Sequence, residues 1–170
     1  PNFKIQKEKE KKIINKSLAF KVDYVDGFAM LLDKRKFKDN TFFDENIFLY
    51  LENDDLCFRV NNSGGNIFII PNSKINHLGS KAVDSKYNEE IKLSRNWHWL
   101  WSKFYFNKKN FGILKALKEC LPTFISSILR FLFYLIINNK IKRKKYFNRA
   151  SGFFNAFLGR PSWHRPVIKD

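Results

Sequence analysis

Short apolar segments separated by turn residues make up the first half of the chain. The segments with strand-like composition are residues 22–25, 28–32, 66–70 and 74–77. Apolar positions at helical spacing predict a helix over Glu52–Asn62, ended by the Ser63-Gly64-Gly65 turn. Residues 33–40 form a polar connection with the pattern of a short helix, and residues 42–50 are aromatic-rich and irregular. This alternation of strands and helices predicts an α/β arrangement.

Longer helical patterns follow residue 84. Residues 87–107 contain neither glycine nor proline, and they place apolar side chains along one helix face. The positions of this aromatic stripe are Leu93, Trp97, Leu100, Trp101 and Phe104. We predict that the stripe packs into the core, with contact to a membrane or a substrate as the alternative.

An almost unbroken apolar run extends from Cys120 to residue 137. Its length of about 18 residues is at the lower edge of what spans a bilayer. Arg130 lies in the middle of the run and would cost about 2.5 to 3.5 kcal/mol at the bilayer centre. Pro122 can break the helix. We therefore expect a helix that lies in the membrane interface or packs on the rest of the protein, rather than a full span.

The charge of the chain is strongly basic and unevenly distributed. The 170 residues carry 32 Lys and Arg against 16 Asp and Glu, a formal charge of +16. Residues 21–90 have 9 positive and 12 negative side chains, whereas residues 91–170 have 17 and 2. With 44% apolar residues the chain can bury a core, which excludes wholesale disorder. The two cysteines have no CxxC spacing and fit a reducing compartment.

A basic cluster follows the apolar run directly. Its members are Lys140, Lys142, Arg143, Lys144 and Lys145. Anionic headgroups attract such charges by about 1 kcal/mol each near the surface. We therefore predict that the cluster, together with Arg130, contacts an anionic membrane surface, with a solvated helix face as the alternative. Nucleic acid is disfavoured because no zinc-ligand spacing, helix-turn-helix signal or RRM motif accompanies the charge.

Five carboxylates lie within twelve residues of the acidic half, in the segment FDENIFLYLENDD. They are Asp44, Glu45, Glu52, Asp54 and Asp55. Neighbouring like charges and aromatic packing both raise the pKa of a carboxyl group, which is how a general base is tuned. Acidic residues in the first turn of a helix also stabilise its dipole, so a structural role for the cluster is the alternative.

Four segments in the first half of the chain resemble the second half of the catalytic domain of family 2 glycosyltransferases, which are inverting enzymes of the GT-A fold. These segments are VDYVDGFAMLLDKRKF, FFDENIFLYLENDDLCFRV, the Gly64-Gly65 turn and INHLGS. Two later segments, RNWHWLWSKFYFNKKN and SGFFNAFLGRPSWHRP, are similar to the C-terminal region of the rhamnosyltransferase-like branch. The resemblance implies that residues 1–84 form the acceptor-side half of a GT-A domain and residues 85–170 a helical membrane-associating region.

The resemblance implies roles for the acidic segment. The acidic pair of the family, followed two residues later by another acid, falls on Glu52, Asn53 and Asp55. The second member of that pair commonly deprotonates the acceptor, but an amide such as Asn53 cannot accept that proton. The resemblance therefore implies Glu52 as the base, with Asp55 shaping the site; Asp54 and Asp55 remain alternatives as the base, as does a less active or differently arranged enzyme.

Other residues match the substrate and metal sites of the family. Asp44 and Glu45 correspond to the segment that lines the acceptor side, where Asn53 also lies, and Gly27 to a small residue beside the sugar. His77 corresponds to a histidine that in some members joins the shell of the divalent metal, Mg²⁺ or Mn²⁺.

The donor site of the family has no counterpart here. The nucleotide-binding first half and its Asp-x-Asp motif do not appear before Val22, so the resemblance implies a portion of a longer enzyme, inactive by itself, with the metal bound mainly by the missing half. The expected reaction transfers a sugar from a nucleotide-sugar to a saccharide or lipid-linked acceptor in cell-envelope polysaccharide synthesis. It would take place at the cytoplasmic face of the membrane. A noncatalytic membrane-surface module is the alternative.

Overall fold

The computed structural model describes residues 18–37, 41–76 and 87–166. Their strands and helices are β1 (Phe20–Val22), a 3₁₀ turn (Lys34–Lys36), α1 (Glu52–Asn62), β2 (Ile67–Ile69), α2 (Asn88–Phe111), α3 (Ile113–Ile136) and α4 (Lys140–Phe157). Helices α2, α3 and α4 pack on one another, and β1, β2 and α1 lie before them in the chain. The boundary expected at residue 84 lies outside the described residues.

The predicted α/β half of a GT-A domain is wrong, because the described residues are mainly helical. Their only sheet is the antiparallel pair of β1 and β2, in which Phe20 faces Ile69 and Val22 faces Ile67. The apolar residues 28–32 form no strand, and Leu31 is 97% exposed. An apolar run becomes a sheet strand only when a neighbouring strand accepts its hydrogen bonds, and two strands of three residues provide no layer for helices to cover.

The aromatic stripe of α2 forms the centre of the core, as its spacing predicted. Trp97, Leu100, Trp101 and Phe104 are buried and pack with Ala116 and Cys120 of α3 and with Phe153 and Ala156 of α4. The rings of Trp97 and Trp101 stack with centroids 6.3 Å apart. These four residues therefore join three helices and are not free to contact a membrane or a substrate, whereas Leu93 of the predicted stripe is only half-buried.

Two sharp turns connect the three long helices. Gly112 separates α2 from α3 with a φ of 86°, a conformation that glycine adopts without steric cost. Asn138, with a φ of 52°, ends the turn after α3, and Asn139 caps α4 by accepting a hydrogen bond from the backbone N–H of Lys142 at 3.1 Å. Helix α3 continues through Pro122, so the expected break at this residue is wrong.

The segment after α4 returns across α2 and the acidic loop. Trp101 Nε1 donates to the carbonyl of Arg160 at 3.0 Å, and Ser162 Oγ donates to the carbonyl of Asn46 at 2.7 Å. The side chain of Ser102 in α2 donates to the carbonyl of Leu49 at 2.7 Å. These bonds hold the acidic loop, residues 41–51, against α2 and so position the first turn of α1.

Helix α3 turns a broad apolar face to solvent. Its largest exposed side chains are Leu114, Leu121, Ile125, Ile128, Leu129, Leu132, Phe133, Leu135 and Ile136. Of the helices that the structure describes, α3 is the one long and apolar enough to cross a membrane. Arg130 of the same helix is also exposed, and its guanidinium donates to Tyr146 Oη of α4 at 3.1 Å.

Candidate functional site

The first turn of α1 lies behind two residues in an unusual backbone conformation. Tyr50 and Leu51 have φ values of 68° and 67°, which β-carbon-bearing residues rarely adopt. Leu51 gives α1 no side-chain cap, but Glu52, Asp54 and Asp55 all lie in the first turn. Their negative charge stabilises the positive end of the helix dipole. The expected dipole role of the acidic cluster thus has a structural basis.

Two carboxylates of the acidic segment are bound to α2 by one lysine. Lys109 Nζ lies 2.8 Å from Asp44 Oδ2 and 2.8 Å from Asp55 Oδ1. Asp55 is fully buried and also accepts from Arg59 Nε at 2.8 Å. Arg59 in turn donates to the carbonyl of Phe42. Asp55 is therefore engaged in holding α1, the acidic loop and α2 together.

Asp44 has a second set of partners. Its carboxylate accepts hydrogen bonds from Tyr105 Oη at 3.0 Å and from the backbone N–H of Asn46 at 3.0 Å. Burial alone would raise the pKa of Asp44, but the hydrogen bonds from Lys109, Asn46 and Tyr105 outweigh it and lower the pKa to about 2. Glu45 beside it is exposed.

A cavity of about 430 Å³ borders Lys109 and Tyr105 on the side of the C-terminal segment. Trp101 and Arg160 contribute further to its lining, which contains no carboxylate. This space therefore offers cations and aromatic rings but no proton acceptor of the acidic cluster.

The opposite side of α1 meets the loop that follows β1. Asn53 Nδ2 donates to Tyr24 Oη at 2.5 Å and lies 3.4 Å from the carbonyl of Val25. A β-carbon on Gly27 would lie 3.2 Å from Asn53 Cβ, tighter than most real contacts. The structure thus places Gly27 directly against Asn53, two residues that the resemblance assigns to the same substrate site.

Asp54 lies beside this contact and has the most perturbed carboxyl group of the acidic segment. Burial, followed by the charges of Glu52 and Asp26, raises its pKa to about 6. The pKa of Tyr24 is raised as well, first by burial and then by the charges of Asp54 and Asp26. At neutral pH Asp54 is therefore a carboxylate that accepts a proton readily.

Glu52 completes the group. Its Oε2 atom is buried and has no hydrogen-bond partner among the described residues. A buried carboxylate oxygen without a partner costs about 1 to 3 kcal/mol, more when charged, unless a ligand or water satisfies it. We refer to Tyr24, Asp26, Glu52 and Asp54 as the carboxylate site.

The described residues do not provide a ligand set for the expected metal ion. No group of three or more His, Cys, Asp or Glu side chains among them is arranged to hold a cation. Glu52 and Asp26 lie close enough to Asp54 to raise its pKa, but the three carboxylates are not arranged as a coordination shell. His77, the predicted metal ligand, lies outside the described residues and stays a prediction.

The predicted membrane residues are divided between two surroundings. Lys140, Lys142, Lys144 and Lys145 are exposed in α4, where Lys142 Nζ lies over the ring of Tyr134 of α3 at 5.0 Å. Arg130 lies over the ring of Tyr146 at 5.4 Å and Arg143 is half-buried. The basic cluster therefore occupies the first turns of α4, where Lys142 contacts the end of α3.

Sequence reasoning gave no role to several residues that matter here. Tyr24 and Asp26 lie 28 or more positions before Asp54, and Lys109 lies 54 positions after Asp55. The sequence around each residue does not show which distant residues it contacts in the folded chain. His98 and His164 were noted only within the resembling segments, yet His98 Nε2 lies 2.7 Å from the carbonyl of His164.

No protein-family model, curated protein or solved structure matches this chain.

Proposed function

We propose that this chain carries the acceptor-activating carboxylate and the membrane contact of an inverting glycosyltransferase. The observation that supports the proposal is the pKa of Asp54, which is raised to about 6. Asp54 lies beside Glu52 and the contact between Gly27 and Asn53. The proposal concerns the reaction and does not require the α/β half-domain that the sequence predicted. The acceptor is a saccharide or lipid-linked hydroxyl of the cell envelope, and the donor a nucleotide-sugar.

In the proposed reaction Asp54 acts as the general base. Its carboxylate takes the proton of the acceptor hydroxyl, the acceptor oxygen forms a bond to the anomeric carbon, and the bond from that carbon to the nucleoside diphosphate breaks. Attack from the face opposite the leaving group inverts the configuration. A base whose pKa lies just below the working pH combines the deprotonated state with useful basicity.

The neighbours of Asp54 have supporting parts in this proposal. Asn53 cannot accept the proton, but its bond to Tyr24 fixes the loop that carries Gly27 against α1. Burial is the main cause of the raised pKa of Asp54, and the negative charges of Glu52 and Asp26 add to it. Asp55 and Asp44 act on structure through Lys109. No step is assigned to a metal ion, because the described residues offer no ligand set for one.

Sugar transfer by the intact enzyme tests the base. Asp54→Asn should lower kcat by at least a hundredfold while nucleotide-sugar binding is retained, since loss of a general base typically costs 10² to 10⁴. Glu52→Gln should lower kcat less and move the acidic limb of the pH profile to lower pH, because a repelling charge is lost. Asp33→Asn, at an exposed carboxylate paired with Arg35, is the matched control. Undiminished transfer by Asp54→Asn would refute the assignment.

A noncatalytic membrane-surface module is the second candidate, and the exposed face of α3 favours it. This face is apolar along the helix, and Lys142 of the basic cluster lies over Tyr134 near the end of the helix. Apolar burial and attraction to anionic lipid together are typical of helices that lie in the membrane interface. The same surface serves the first candidate by holding the carboxylate site at the cytoplasmic face.

Vesicle sedimentation tests this surface. Changing Lys142, Arg143, Lys144 and Lys145 to Glu should release the chain from vesicles that contain anionic lipid, and the same change at Lys34 and Lys36 should not. Retention of the fourfold variant would exclude an electrostatic contribution from α4. Full vesicle binding by a protein that transfers no sugar would favour the noncatalytic module.

A further inference from the structure

A cleft of about 470 Å³ lies between α2 and α4, and none of the four residues of the carboxylate site lines it. Four cationic side chains line it, Lys92 and Arg95 from α2 and Lys145 and Arg149 from α4. The remaining lining residues are Asn96 and two aromatic residues, Tyr50 and Trp99. We call this the basic cleft.

The charge of the basic cleft is largely uncompensated. No carboxylate is among the residues that line it. Lys92 pairs with Glu89 at 2.8 Å, but both side chains are more than 60% exposed, and such surface pairs contribute little. Four cations that converge without anions repel one another, so an anionic ligand would relieve the repulsion.

Arg149 gives the cleft a fixed donor. Its Nη2 atom donates to Asn96 Oδ1 at 2.6 Å, and Asn96 Nδ2 donates to the carbonyl of Lys92 at 2.7 Å. Arg149 Nε is buried and has no hydrogen-bond partner among the described residues. Guanidinium groups present several donors in one plane, which suits the oxygens of phosphate. Arg149 thus lines the cleft with a guanidinium group whose Nε–H has no acceptor among the described residues.

The aromatic wall gives the cleft a second property. Tyr50 packs edge-on against Trp99 with ring centroids 5.5 Å apart, and Trp99 remains 42% exposed. The left-handed backbone of Tyr50 turns the chain here just before α1. Such conformations are kept where the surroundings enforce them. A large exposed ring beside cations suits a ligand with an uncharged part next to its charge.

We propose that the basic cleft binds the phosphate or diphosphate group of an organic phosphate, with the attached group against Trp99 and Tyr50. The inference goes beyond the proposed function and does not depend on it. Two sources supply this chemistry. One is a lipid phosphate in the membrane that the basic cluster would face, since Lys145 belongs both to that cluster and to the cleft. The other is a soluble phosphate ester.

Calorimetric titration with inorganic pyrophosphate at fixed ionic strength tests the site. Arg95→Gln with Lys145→Gln removes two exposed cations of the cleft and should weaken binding at least tenfold. Lys34→Gln with Lys36→Gln removes the same charge from the exposed 3₁₀ turn and should weaken binding less than twofold. Arg149→Lys keeps the charge but loses the planar fork, and it should also weaken binding. Equal loss in both double variants, or no binding by the native chain, would overturn the proposal.

Vesicles distinguish the two sources. Phosphatidic acid exposes a phosphate monoester, whereas phosphatidylglycerol carries a diester, so vesicles matched in surface charge differ in this group. A preference for phosphatidic acid that the Arg95 and Lys145 double variant loses, but the Lys34 and Lys36 double variant keeps, assigns the cleft to a lipid phosphate. Pyrophosphate binding that depends on the cleft without any such lipid preference assigns it to a soluble phosphate. The experiment measures no sugar transfer, so its failure is separate from failure of the proposed function.

Discussion

The carbonyl oxygen of Trp97 lies 2.1 Å from the position that a β-carbon on Gly152 would occupy. Gly152 is in α4 and Trp97 is in α2, so the two helices approach with backbone against backbone at this point. A carbonyl group within a helix cannot turn away without losing its own helical hydrogen bond. The absence of a side chain at residue 152 is therefore what permits this close packing.

Gly152→Ala should destabilise the fold by about 2 to 4 kcal/mol, despite the better helix propensity of alanine, because α4 must move away from the core. Urea denaturation followed by circular dichroism measures this loss. Lys144→Ala, at an exposed position of the same helix, should change the stability by less than about 0.5 kcal/mol. A Gly152→Ala variant as stable as the native chain would show that the helices are not in contact here.

The sequence allowed the helices to be predicted far better than the fold class. Glu52–Asn62 and the stripe of α2 follow from periodicity alone, because burial of one helix face is a local pattern. The strands did not, because an apolar run does not reveal whether another strand lies beside it. Residues 66–70 found a partner in β1, whereas residues 28–32 did not. The prediction of an α/β fold was wrong because it treated apolar runs such as residues 28–32 as strands, and these residues form no sheet.

The residues of the candidate site could be predicted from the sequence, but the different surroundings of its carboxylates could not. Glu52, Asp54 and Asp55 are close in sequence, yet a helical turn sends Asp55 toward Lys109 and Asp54 toward Tyr24. Which side is buried depends on α2 and on the loop after β1, both distant along the chain. Gly27 and Asn53 were assigned to one site by resemblance, and they are in contact.

Lys109→Met should leave the buried carboxylate of Asp55 with fewer cations and destabilise the fold by about 2 to 4 kcal/mol at neutral pH. The loss should shrink as the pH falls. Because the pKa of Asp44 is about 2 in the folded chain against an ordinary 3.8, its interaction is fully present above pH 4 and disappears as the pH falls through 2. Denaturation of both chains between pH 2 and pH 7 measures this.

Lys115→Met is the matched control for this lysine. Lys115 pairs with Glu119 at 3.0 Å across one turn of α3, and its side chain is 48% exposed. Solvent screens this pair, so its loss should cost about 0.5 kcal/mol or less. Similar losses for the two methionine variants would contradict the structural role assigned to Lys109.

Asp54→Asn should stabilise the chain above pH 6 and leave it unchanged below pH 4. The pKa of Asp54 is raised from 3.8 to about 6 on folding, so the stability linked to its proton is present at low pH and is lost as the pH rises through 6. The side chain is partly exposed and solvent screens its charge, so the expected gain at pH 7.5 is about 1 kcal/mol. Urea midpoints at pH 4 and pH 7.5 give the difference.

The control for Asp54 is Asp33, whose pKa is lowered by the hydrogen bond from Arg35. Asp33→Asn should therefore give no gain in stability at pH 7.5. A gain in this variant equal to that of Asp54→Asn would indicate a general charge effect. No gain in either would show that Asp54 is not strained by burial, and the proposed base would then lose its physical basis.

His98 should make the chain sensitive to mild acid. Burial, followed by the charges of Arg165 and His164, lowers the pKa of His98 to about 4, although the hydrogen bond to the backbone of His164 opposes this. The unfolded chain therefore takes up a proton between pH 6.5 and pH 4 that the folded chain does not bind. The contribution of neutral His98 to stability should be fully present above pH 6.5 and fall as the pH drops toward 4.

The His98→Phe variant should be less stable than the native chain at pH 7, because it has lost the bond to His164. It should lose less stability than the native chain when the pH is lowered. Asp54 titrates in the same range with the opposite sign, so the comparison is made in Asp54→Asn chains. An equal loss with and without His98 would place the sensitivity elsewhere.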